Sequence, residues 1–471
     1  MIERHVGLYT DMYQLTMGQA YFRDEISEEP ACFDYFFRKI PFEGGYVVFA
    51  GLADALSMLE RLKFEEDDLQ YLSSLGFDQP YVDHLKNFRF AGDIFSAREG
   101  DLVFPLEPVL RVEGGLLEAQ IVETLLLNIL NFESLVATKA SRMRLAAGDR
   151  VLSDFGLRRA HGWGGILASR AAVVGGFDTT SNVFAAREFG LRPAGTMAHS
   201  FVESHSDELE AFRRYAAVFP DNCVLLVDTY DTLRSGVPNA IAVGRELAQK
   251  GHHLAGIRMD SGDLAYLSKK ARLMLDAAGL SGVKIVASNQ LDEHLIKSLL
   301  EQGAPIDIFG VGTRLVTGFP DGALDGVYKL SMAGGHPRLK LSETIGKITL
   351  PGRKKILRCT DADGFFQADA VALEEEGEVE RMFHPFEEHK SLDLSPLCQE
   401  NLHVQVMERG KSLALPERAA AISAYSRTRL AKLPPEHKRF ENPHIYRVGL
   451  SRRLMELRAE LVRAHRKERK P

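Results

Sequence analysis

Four apolar runs in the middle of the chain each end in a polar or glycine-bearing cluster. They are Leu225 to Asp228, Ala255 to Asp260, Ile285 to Asn289 and Ile306 to Thr313. Successive runs start roughly twenty to thirty residues apart, which leaves room for a strand, a loop and a helix in each unit. Short, mainly apolar runs of this kind predict parallel strands buried on both faces, with functional groups where each strand ends.

The segments between these runs have helical periodicity. After Asp263 the apolar residues that share one helical face are Leu264, Leu267, Ala271, Met274 and Ala278. We expect Ser261 to cap this helix and Gly279 to end it, and Asn289 to cap the next helix, which ends at Gly303. The pattern fits both an open sheet and a closed barrel.

Strand-like and helical stretches flank this array. Before it come the strand-like Ala31 to Phe37 and Tyr46 to Phe49, and the helical Leu52 to Lys63 and Leu116 to Leu145. After it come a β-rich stretch, Lys340 to Ala372, and a basic tail, Ser451 to Pro471, which favours a solvated surface helix. We predict an N-terminal α/β domain over 1–125, the array over 126–340, and a C-terminal region over 341–471 that packs back on the first domain.

The length and net charge of the chain limit the number of domains and the kinds of partner that we expect. A chain of 471 residues exceeds the usual size of one hydrophobic core, so we expect two or three domains around one site. The formal charge of −7 argues against a general nucleic-acid partner, while local cationic pockets for phosphates remain compatible with it. Small anionic substrates therefore fit the composition.

The cysteines and the apolar segments indicate where the protein works. Cys32, Cys223, Cys359 and Cys398 lie far apart and lack the close spacing of zinc or redox motifs. We therefore expect reduced thiols and a cytoplasmic location. The segment Met1 to Tyr13 mixes charged with apolar residues, unlike a signal peptide, and no uncharged apolar run is long enough to predict a membrane partner.

Two clusters early in the array carry groups suited to anions. In Ser153 to Arg159, the ring of Phe155 beside the guanidinium of Arg158 is suited to a flat ring with acidic substituents, although a surface arginine pair fits equally well. Gly175 to Asn182, which includes Asp178, is rich in glycine and then in hydroxyls. It predicts a helix that starts at its Thr and Ser residues, and such a start is either an anion site or an ordinary helix terminus.

The next candidate site residues along the chain are a histidine, two aspartates and an arginine. His199, near Thr196, can act as a nucleophile toward a phosphoryl group or as a proton carrier, and a structural histidine is the alternative. Asp228 and Asp260 end strands, where carboxylates can hold Mg²⁺ or ribose hydroxyls. Arg258 lies two residues before Asp260 and therefore on the same face of the strand; Ser261, as the expected helix cap, leaves both free for function.

The last strand end supplies closely spaced glycines, Gly310 and Gly312, before Thr313. Such loops bind phosphate late in α/β barrels. The chain has neither a Walker A sequence nor a strand-GxGxxG-helix fingerprint, so a nucleotide would be held in another way.

Taken together, five strings of residues resemble the nicotinate phosphoribosyltransferase family over nearly the whole chain. They are Tyr9 to Gln14, Asp154 to Arg159, Gly195 to Phe201, Arg258 to Asp263 and Phe309 to Thr313. The resemblance implies a type II phosphoribosyltransferase, in which the array is an irregular α/β barrel carrying the catalytic site. It also implies a homodimer with active sites shared between subunits.

The implied reaction joins nicotinate to phosphoribosyl pyrophosphate and yields nicotinate mononucleotide and pyrophosphate, as the entry to NAD salvage. The resemblance implies coupled ATP hydrolysis, with Mg²⁺ accompanying ATP and phosphoribosyl pyrophosphate. By the same resemblance, His199 is the histidine that ATP phosphorylates, and Arg258 and Asp260 complete the catalytic set.

The resemblance also implies a set of substrate-binding residues. Nicotinate would contact Tyr13 from the neighbouring subunit, together with Thr196 and Arg258, and Thr313 would contact the phosphoribosyl group. Related nicotinamide enzymes suggest further matches, namely Phe155 stacked on the pyridine ring, Arg158 and Asp178 beside it, Asp260 on the ribose, and Gly310, Gly312 and Thr313 around the 5′-phosphate. Ser288 and Asn289 complete the predicted set.

Three alternatives stay open. The enzyme could act on nicotinamide or another pyridine base, although quinolinate enzymes are much shorter. The run Val224 to Thr232 faintly resembles the phosphoribosyl pyrophosphate motif of type I enzymes, which are far smaller. A non-catalytic regulatory relative is disfavoured because His199, Arg258 and Asp260 are all present.

Overall fold

The computed structural model describes residues 4–341, 349–387, 389–413 and 417–468. The chain divides into two compact units. The first holds residues 1–135, 323–417 and 424–471, and the second holds 136–322 and 418–423. Apart from 418–423, the regions predicted as N-terminal domain and C-terminal region both belong to the first unit.

The second unit is built on a sheet of six parallel strands. In chain order they are β1 (Val151–Asp154), β2 (Thr179–Thr180), β3 (Val224–Leu226), β4 (Gly256–Met259), β5 (Lys284–Ser288) and β6 (Ile308–Val311). Their order in the sheet is β2-β1-β6-β5-β4-β3, and every neighbouring pair is parallel. The predicted parallel array is therefore confirmed, and it takes the form of a half-barrel within a mixed α/β fold.

Helices separate these strands. They are Leu157–Arg159 (3-10), Gly164–Val174, Val183–Glu188, His199–Glu203, Glu208–Val218, Thr232–Gly236 (π), Val237–Gln249, Leu264–Ala277, Glu293–Glu301 and Thr313–Val316. The sheet buries an apolar residue from each of four strands completely, namely Leu225, Ile257, Ile285 and Phe309. Gly279 and Gly303 follow their helices with φ of +75° and +73°, a left-handed conformation that glycine adopts without strain, as predicted.

The predicted helix caps are wrong. The helix after β4 is capped by Asp263 rather than Ser261, and the helix after β5 is capped by Asp292 rather than Asn289. The helix after β2 starts at the cap Asn182, because the preceding threonines form the strand β2 itself. In each case the side chain that caps the helix directly precedes its first residue, so the loop from the strand is longer than the pattern suggested.

The first unit is rich in antiparallel sheet. Its seven-stranded sheet runs, in order, through His336–Pro337, Gly326–Ala333, Pro30–Phe37, Leu110–Gly115, Asp93–Ser96, Val404–Glu408 and Lys411–Ser412. A six-stranded sheet runs through Ser391–Asp393, Arg381–Phe383, Val448–Ser451, Phe366–Leu373, Lys354–Thr360 and Cys398–Asn401. A short pair joins Val47–Val48 to Leu102–Val103.

The helices of the first unit cover these sheets. They are Val6–Leu8 (3-10), Met12–Arg23, Pro41–Glu43 (3-10), Leu52–Glu60, Glu66–Ser74, Gln79–Lys86, Leu116–Ile121, Pro435–Lys438 (3-10) and Arg452–Glu468. Two further helices, Glu123–Ala147 and Ala419–Lys432, contribute residues to both units. The strands, helices and basic tail helix predicted outside the array are thus present, with ends shifted by a few residues; part of the predicted β-rich stretch, 342–348, lies outside the described residues.

A buried ion-pair network holds part of the first unit together. Arg358 is fully buried and donates to Asp101 at 2.7 Å and to Asp369 at 2.6 Å. Burying a guanidinium is tolerable only when carboxylates and other acceptors satisfy it, so these residues depend on one another.

Among the described residues one helical stretch, Leu116–Ala147, is long and apolar enough by composition to cross a membrane, with a mean hydropathy of 1.4. Its most apolar window is 67% buried inside the protein, as in the core helix of a globular fold.

Candidate active site

Arg258 is the centre of a polar cluster at the carboxyl ends of the parallel strands. From β4, its Nε donates to Ser288 Oγ at 3.0 Å and its Nη1 to Thr196 Oγ1 at 3.1 Å. Its Nη2 donates to Asp260 Oδ1 at 3.3 Å. The side chain is only 11% exposed, and two other segments of chain, at Thr196 and Ser288, hold it in one orientation together with the nearby Asp260.

Ser288 connects the arginine to the acid. Its hydroxyl accepts from Arg258 and donates to Asp260 Oδ1. β5, which ends at Ser288, lies directly beside β4, and this neighbourhood brings the three side chains together. Asp260 remains 31% exposed, so its carboxylate can still reach a ligand.

An aromatic ring lies against this cluster. The guanidinium carbon of Arg258 lies 5.3 Å from the centroid of the Phe155 ring, within cation–π distance. Phe155 follows β1, and its N–H donates to Val311 O at 2.8 Å. A Cβ at Gly310 would lie 2.4 Å from the ring, and one at Gly312 would lie 3.1 Å from the Phe155 carbonyl oxygen. Gly310 in β6 therefore makes room for this ring, and Gly312, directly after the strand, makes room for the Phe155 backbone.

His199 is the first residue of a short helix and is 40% exposed. Its Nδ1 shares a hydrogen bond of 3.1 Å with Thr229 Oγ1, and its Nε2 lies 4.0 Å from Asp228 Oδ1. The other oxygen of Asp228 accepts from the Asp260 N–H and from Ser261 Oγ, each at 2.7 Å. Asp228 thus joins the imidazole to the strand end that carries Asp260.

The Asp228 carboxylate is an unusual group in this site. The side chain is only 1% exposed, and Oδ1 is buried without a hydrogen-bond partner in the part of the chain that the structure describes. A buried carboxylate oxygen in this condition is suited to a cation or to a protonated imidazole, because an unpaired buried acceptor is costly.

The structure brings together most of the predicted site residues of the second unit. Those with contacts in the cluster are Phe155, Thr196, His199, Arg258, Asp260, Ser288, Gly310 and Gly312. Two exposed residues directly follow them in the chain: Asn289, with φ of +85°, and Thr313, the first residue of a short helix. Arg158 is exposed on the turn after Phe155.

Asp178 lies elsewhere. Its N–H donates to Leu152 O, and its carboxylate accepts from Leu152 N at 2.8 Å and from Arg144. These contacts place Asp178 beside the start of β1, toward the amino ends of the parallel strands and away from their carboxyl ends. Tyr13 belongs to the first unit, on the helix Met12–Arg23, and is 46% exposed.

Sequence reasoning missed the contact between His199 and Thr229 and the linking role of Asp228. Asp228 was considered only as a ligand for a cation or for ribose. The available signal was weak: Asp228 and Asp260 end two of the four apolar runs, and their carboxylate and amide meet because β3 and β4 are neighbours.

Three family models match the chain. One, described as the nicotinate phosphoribosyltransferase N-terminal domain, matches residues 8–131, and the nicotinate phosphoribosyltransferase family model matches residues 151–366. The third, the nicotinate phosphoribosyltransferase C-terminal domain, matches residues 353–458. The matched residues span all three predicted regions.

Whole proteins and solved structures agree with these models. A nicotinate phosphoribosyltransferase of Bacillus subtilis is 44% identical over 457 residues, covering 95% of this chain and 93% of that protein. The human nicotinate phosphoribosyltransferase is 35% identical, covering 96% and 95%. A crystal structure of human nicotinic acid phosphoribosyltransferase superposes with a TM-score of 0.86 at 33% identity, covering 96% of this chain and 99% of that one. A nicotinate-nucleotide pyrophosphorylase of Pyrococcus furiosus, 24% identical with a TM-score of 0.72, shares the fold.

Proposed function

The chain belongs to the nicotinate phosphoribosyltransferase family, and from this premise we propose that it transfers phosphoribosyl to nicotinate with ATP hydrolysis coupled through phosphorylated His199. It is an enzyme of this type, a transferase of NAD biosynthesis. The products of the proposed reaction are nicotinate mononucleotide and pyrophosphate. The proposal is supported by the cluster around Arg258, where an aromatic ring, a partly exposed carboxylate and, through Asp228, an imidazole lie at the carboxyl ends of the strands.

The base would lie at Phe155 and Arg258. A guanidinium has five N–H donors, and Arg258 uses one each toward Ser288, Thr196, the Met197 carbonyl and Asp260. Among the described residues no partner is seen for one N–H of the Nη2 group, which could therefore donate to a ligand. The carboxylate of nicotinate is suited to this donor, and an aromatic ring stacked on Phe155 would present its nitrogen in a fixed direction.

The sugar would lie at the strand ends that follow. In the proposed reaction the pyridine nitrogen forms a bond to C1 of ribose as the bond to pyrophosphate breaks, so positive charge develops on the sugar. The partly exposed Asp260 is suited to the ribose, and the backbone N–H groups of the loop from Gly310 to Thr313 are suited to its 5′-phosphate. Asn289 directly follows Ser288, and Arg158 lies on the turn after Phe155; both are exposed, and we propose that they complete the substrate contacts.

Mg²⁺ fits the residues present. Asp228 offers a buried oxygen without a partner among the described residues, Asp260 offers a second carboxylate, and Mg²⁺ prefers oxygen ligands shared with phosphates. When bound, the ion would stabilise negative charge on the departing pyrophosphate. We propose that Asp228 and Asp260 hold it.

His199 would couple ATP to this reaction. A nitrogen of its imidazole would form a bond to the γ-phosphoryl group as ADP departs, and water would later take the phosphoryl group as inorganic phosphate. Thr229 orients the ring through its hydrogen bond to Nδ1, and Nε2 faces the Asp228 carboxylate at 4.0 Å. Both contacts support a nucleophilic histidine rather than a merely structural one.

We also propose a cytoplasmic homodimer whose subunits share active sites. Tyr13 and the adjacent Met12 are 46% and 53% exposed on their helix, as expected for residues that reach a partner subunit. All four cysteines are unpaired, which fits a reducing compartment.

One assay tests the proposed function. Labelled nicotinate, phosphoribosyl pyrophosphate and Mg²⁺ are incubated with the protein, with and without ATP, and nicotinate mononucleotide is measured. The proposal predicts product formation that ATP increases, with unlabelled nicotinate competing better than nicotinamide. Equal or stronger competition by nicotinamide would instead indicate an enzyme for the neutral base, and absence of product would contradict the proposal.

A further inference from the structure

A buried carboxylate lies behind the proposed base site. Asp154 ends β1, directly before Phe155, and is completely buried. Its Oδ1 accepts from Gly156 N at 2.7 Å, and its Oδ2 accepts from Thr180 Oγ1 at 2.7 Å and from Ser169 Oγ at 2.8 Å. These donors are one amide and two hydroxyls, so the carboxylate is satisfied entirely by neutral groups.

Asn182 fixes the direction of both hydroxyls. Its backbone N–H donates to Thr180 Oγ1 at 3.0 Å, and its Nδ2 donates to Ser169 Oγ at 3.1 Å. Because each hydroxyl already accepts from Asn182, its own hydrogen can be donated. Thr180 Oγ1 donates to Asp154 Oδ2, whereas Ser169 Oγ lies within hydrogen-bond distance of both Asp154 Oδ2 and Gly165 O, at 2.8 and 3.0 Å. The donors of Gly156 and Thr180 thus face the two different oxygens of Asp154, an arrangement that suits a carboxylate better than a carboxamide.

The network joins two segments that meet at Arg258. On one side, the bond from Gly156 to Asp154 closes the turn that carries Phe155. On the other side, Thr180 O accepts from Ala194 N at 2.9 Å, which aligns the segment leading to Thr196. Asp154 thus connects, through buried hydrogen bonds, the ring and the hydroxyl that both contact the arginine.

We propose, building on the function proposed above, that Asp154 is a positioning residue for the base: it holds Phe155 and the segment of Thr196 in fixed relation to Arg258. It touches no substrate in this role. Its loss would displace the ring-binding face more than the sugar-phosphate loop after β6, because the hydrogen bonds of the Asp154 side chain go to Gly156, Thr180 and Ser169. The base and the phosphoribosyl substrate should therefore respond differently.

The first test is Asp154→Asn. This variant keeps the size of the side chain but replaces one acceptor oxygen with an NH2 group, which then faces the N–H and O–H donors of the network. We expect the KM for nicotinate to rise about tenfold or more, while the KM for phosphoribosyl pyrophosphate changes by less than about twofold. Asp307→Asn is the matched control. Asp307 also accepts from a backbone amide, Ile285 N at 2.9 Å, but it lies near the amino ends of the strands, whereas Asp154 lies at a carboxyl end. It should lower the thermal midpoint without changing either KM.

A double-mutant cycle tests the route of the effect. Phe155→Leu alone should raise the KM for nicotinate, because the flat ring is lost. If Asp154 acts largely through Phe155, the double variant should match Phe155→Leu to within about twofold. Fully additive effects would overturn the proposed positioning of Phe155 by Asp154.

Thr180→Val covers the case in which Asp154→Asn does not fold. It removes one hydroxyl of the network at nearly constant volume and leaves the bond from Gly156 intact. A raised KM for nicotinate alone supports the proposal, and an unchanged one contradicts it. The proposed function fails separately, if the wild-type protein forms no nicotinate mononucleotide; the positioning role fails if the wild type is active and Asp154→Asn behaves like Asp307→Asn.

Discussion

Gly310 leaves no room for a side chain beside Phe155: a Cβ on Gly310 would stand 2.4 Å from Cε2 of the ring. Real contacts of a Cβ are essentially never closer than 3.0 Å, so one of the two residues must move if position 310 changes. The strand β6 lies between two neighbours in the sheet and cannot shift easily, so the ring would move.

Gly310→Ala should therefore impair base binding. We expect the KM for nicotinate to rise about tenfold or more, because small displacements of a positioning group cost large factors in rate and affinity. Gly282→Ala is the control, since a Cβ there would meet no atom within 4 Å. Steady-state kinetics with nicotinate as the varied substrate check this, and equal KM values for the two variants would contradict it.

Ser288→Ala should lower kcat/KM because it removes one hydrogen bond each from Arg258 and Asp260. The hydroxyl accepts from Arg258 and donates to Asp260, so its removal leaves both partly unsatisfied. Unmade hydrogen bonds of buried groups cost about 1–3 kcal/mol, which predicts a loss of about five- to a hundred-and-fiftyfold in kcat/KM. Ser288→Thr should retain much of the activity because it keeps the hydroxyl, and Ser298→Ala, on a neighbouring helix, should match the wild type. Full activity of Ser288→Ala would show that the bridge is dispensable.

ATP should leave an acid-labile phosphoryl group on His199. Incubation with γ-labelled ATP, followed by peptide mapping under alkaline conditions, would locate it. His205→Ala is the control, because the ring of His205 bonds to the Phe201 carbonyl, away from Asp228. Label that persists in His199→Ala and disappears in His205→Ala would reassign the phosphorylated residue.

His403 should make stability depend on pH. It is buried in the first unit, its Nε2–H donates to Pro108 O, and burial lowers the pKa of the imidazole to about 4. The unfolded chain, with an ordinary pKa near 6.5, binds a proton first as the pH falls, so the stability of the neutral buried ring is lost between about pH 6.5 and 4. At pH 5 the loss is about 2 kcal/mol relative to pH 7.5. The thermal midpoint of the wild type should fall more over this range than that of His403→Gln; parallel curves would contradict the assignment.

The sequence predicted β3 to β6 and their functional ends well because each of these strands lies in a short, mainly apolar run, whereas the two threonines of β2 gave no such signal. It also indicated that Arg258 and Asp260 share a face, since that follows from the period of a strand. Contacts between residues on neighbouring strands could not be predicted from the sequence. Ser288 reaches Arg258 because β5 pairs with β4, and Phe155 reaches Gly310 because β6 lies beside β1, an order that the chain does not follow.

The helix caps and the position of Asp178 could not be predicted from the sequence for another reason. Ser261 and Asn289 are good capping residues in isolation, but the caps are the aspartates nearer to each helix. Asp178 follows a glycine pair in a segment suited to anions, yet the structure places its carboxylate at the start of β1. Propensity identifies what a residue can do, whereas the length of the preceding loop decides where it lies.

The role of His199 is tested most directly by nicotinate mononucleotide formation in the wild type and in His199→Ala, each with and without ATP. We predict that ATP increases the rate of the wild type and leaves the rate of the variant unchanged, because without the imidazole the two reactions are no longer coupled. An equal increase by ATP in both proteins would contradict the proposed phosphohistidine.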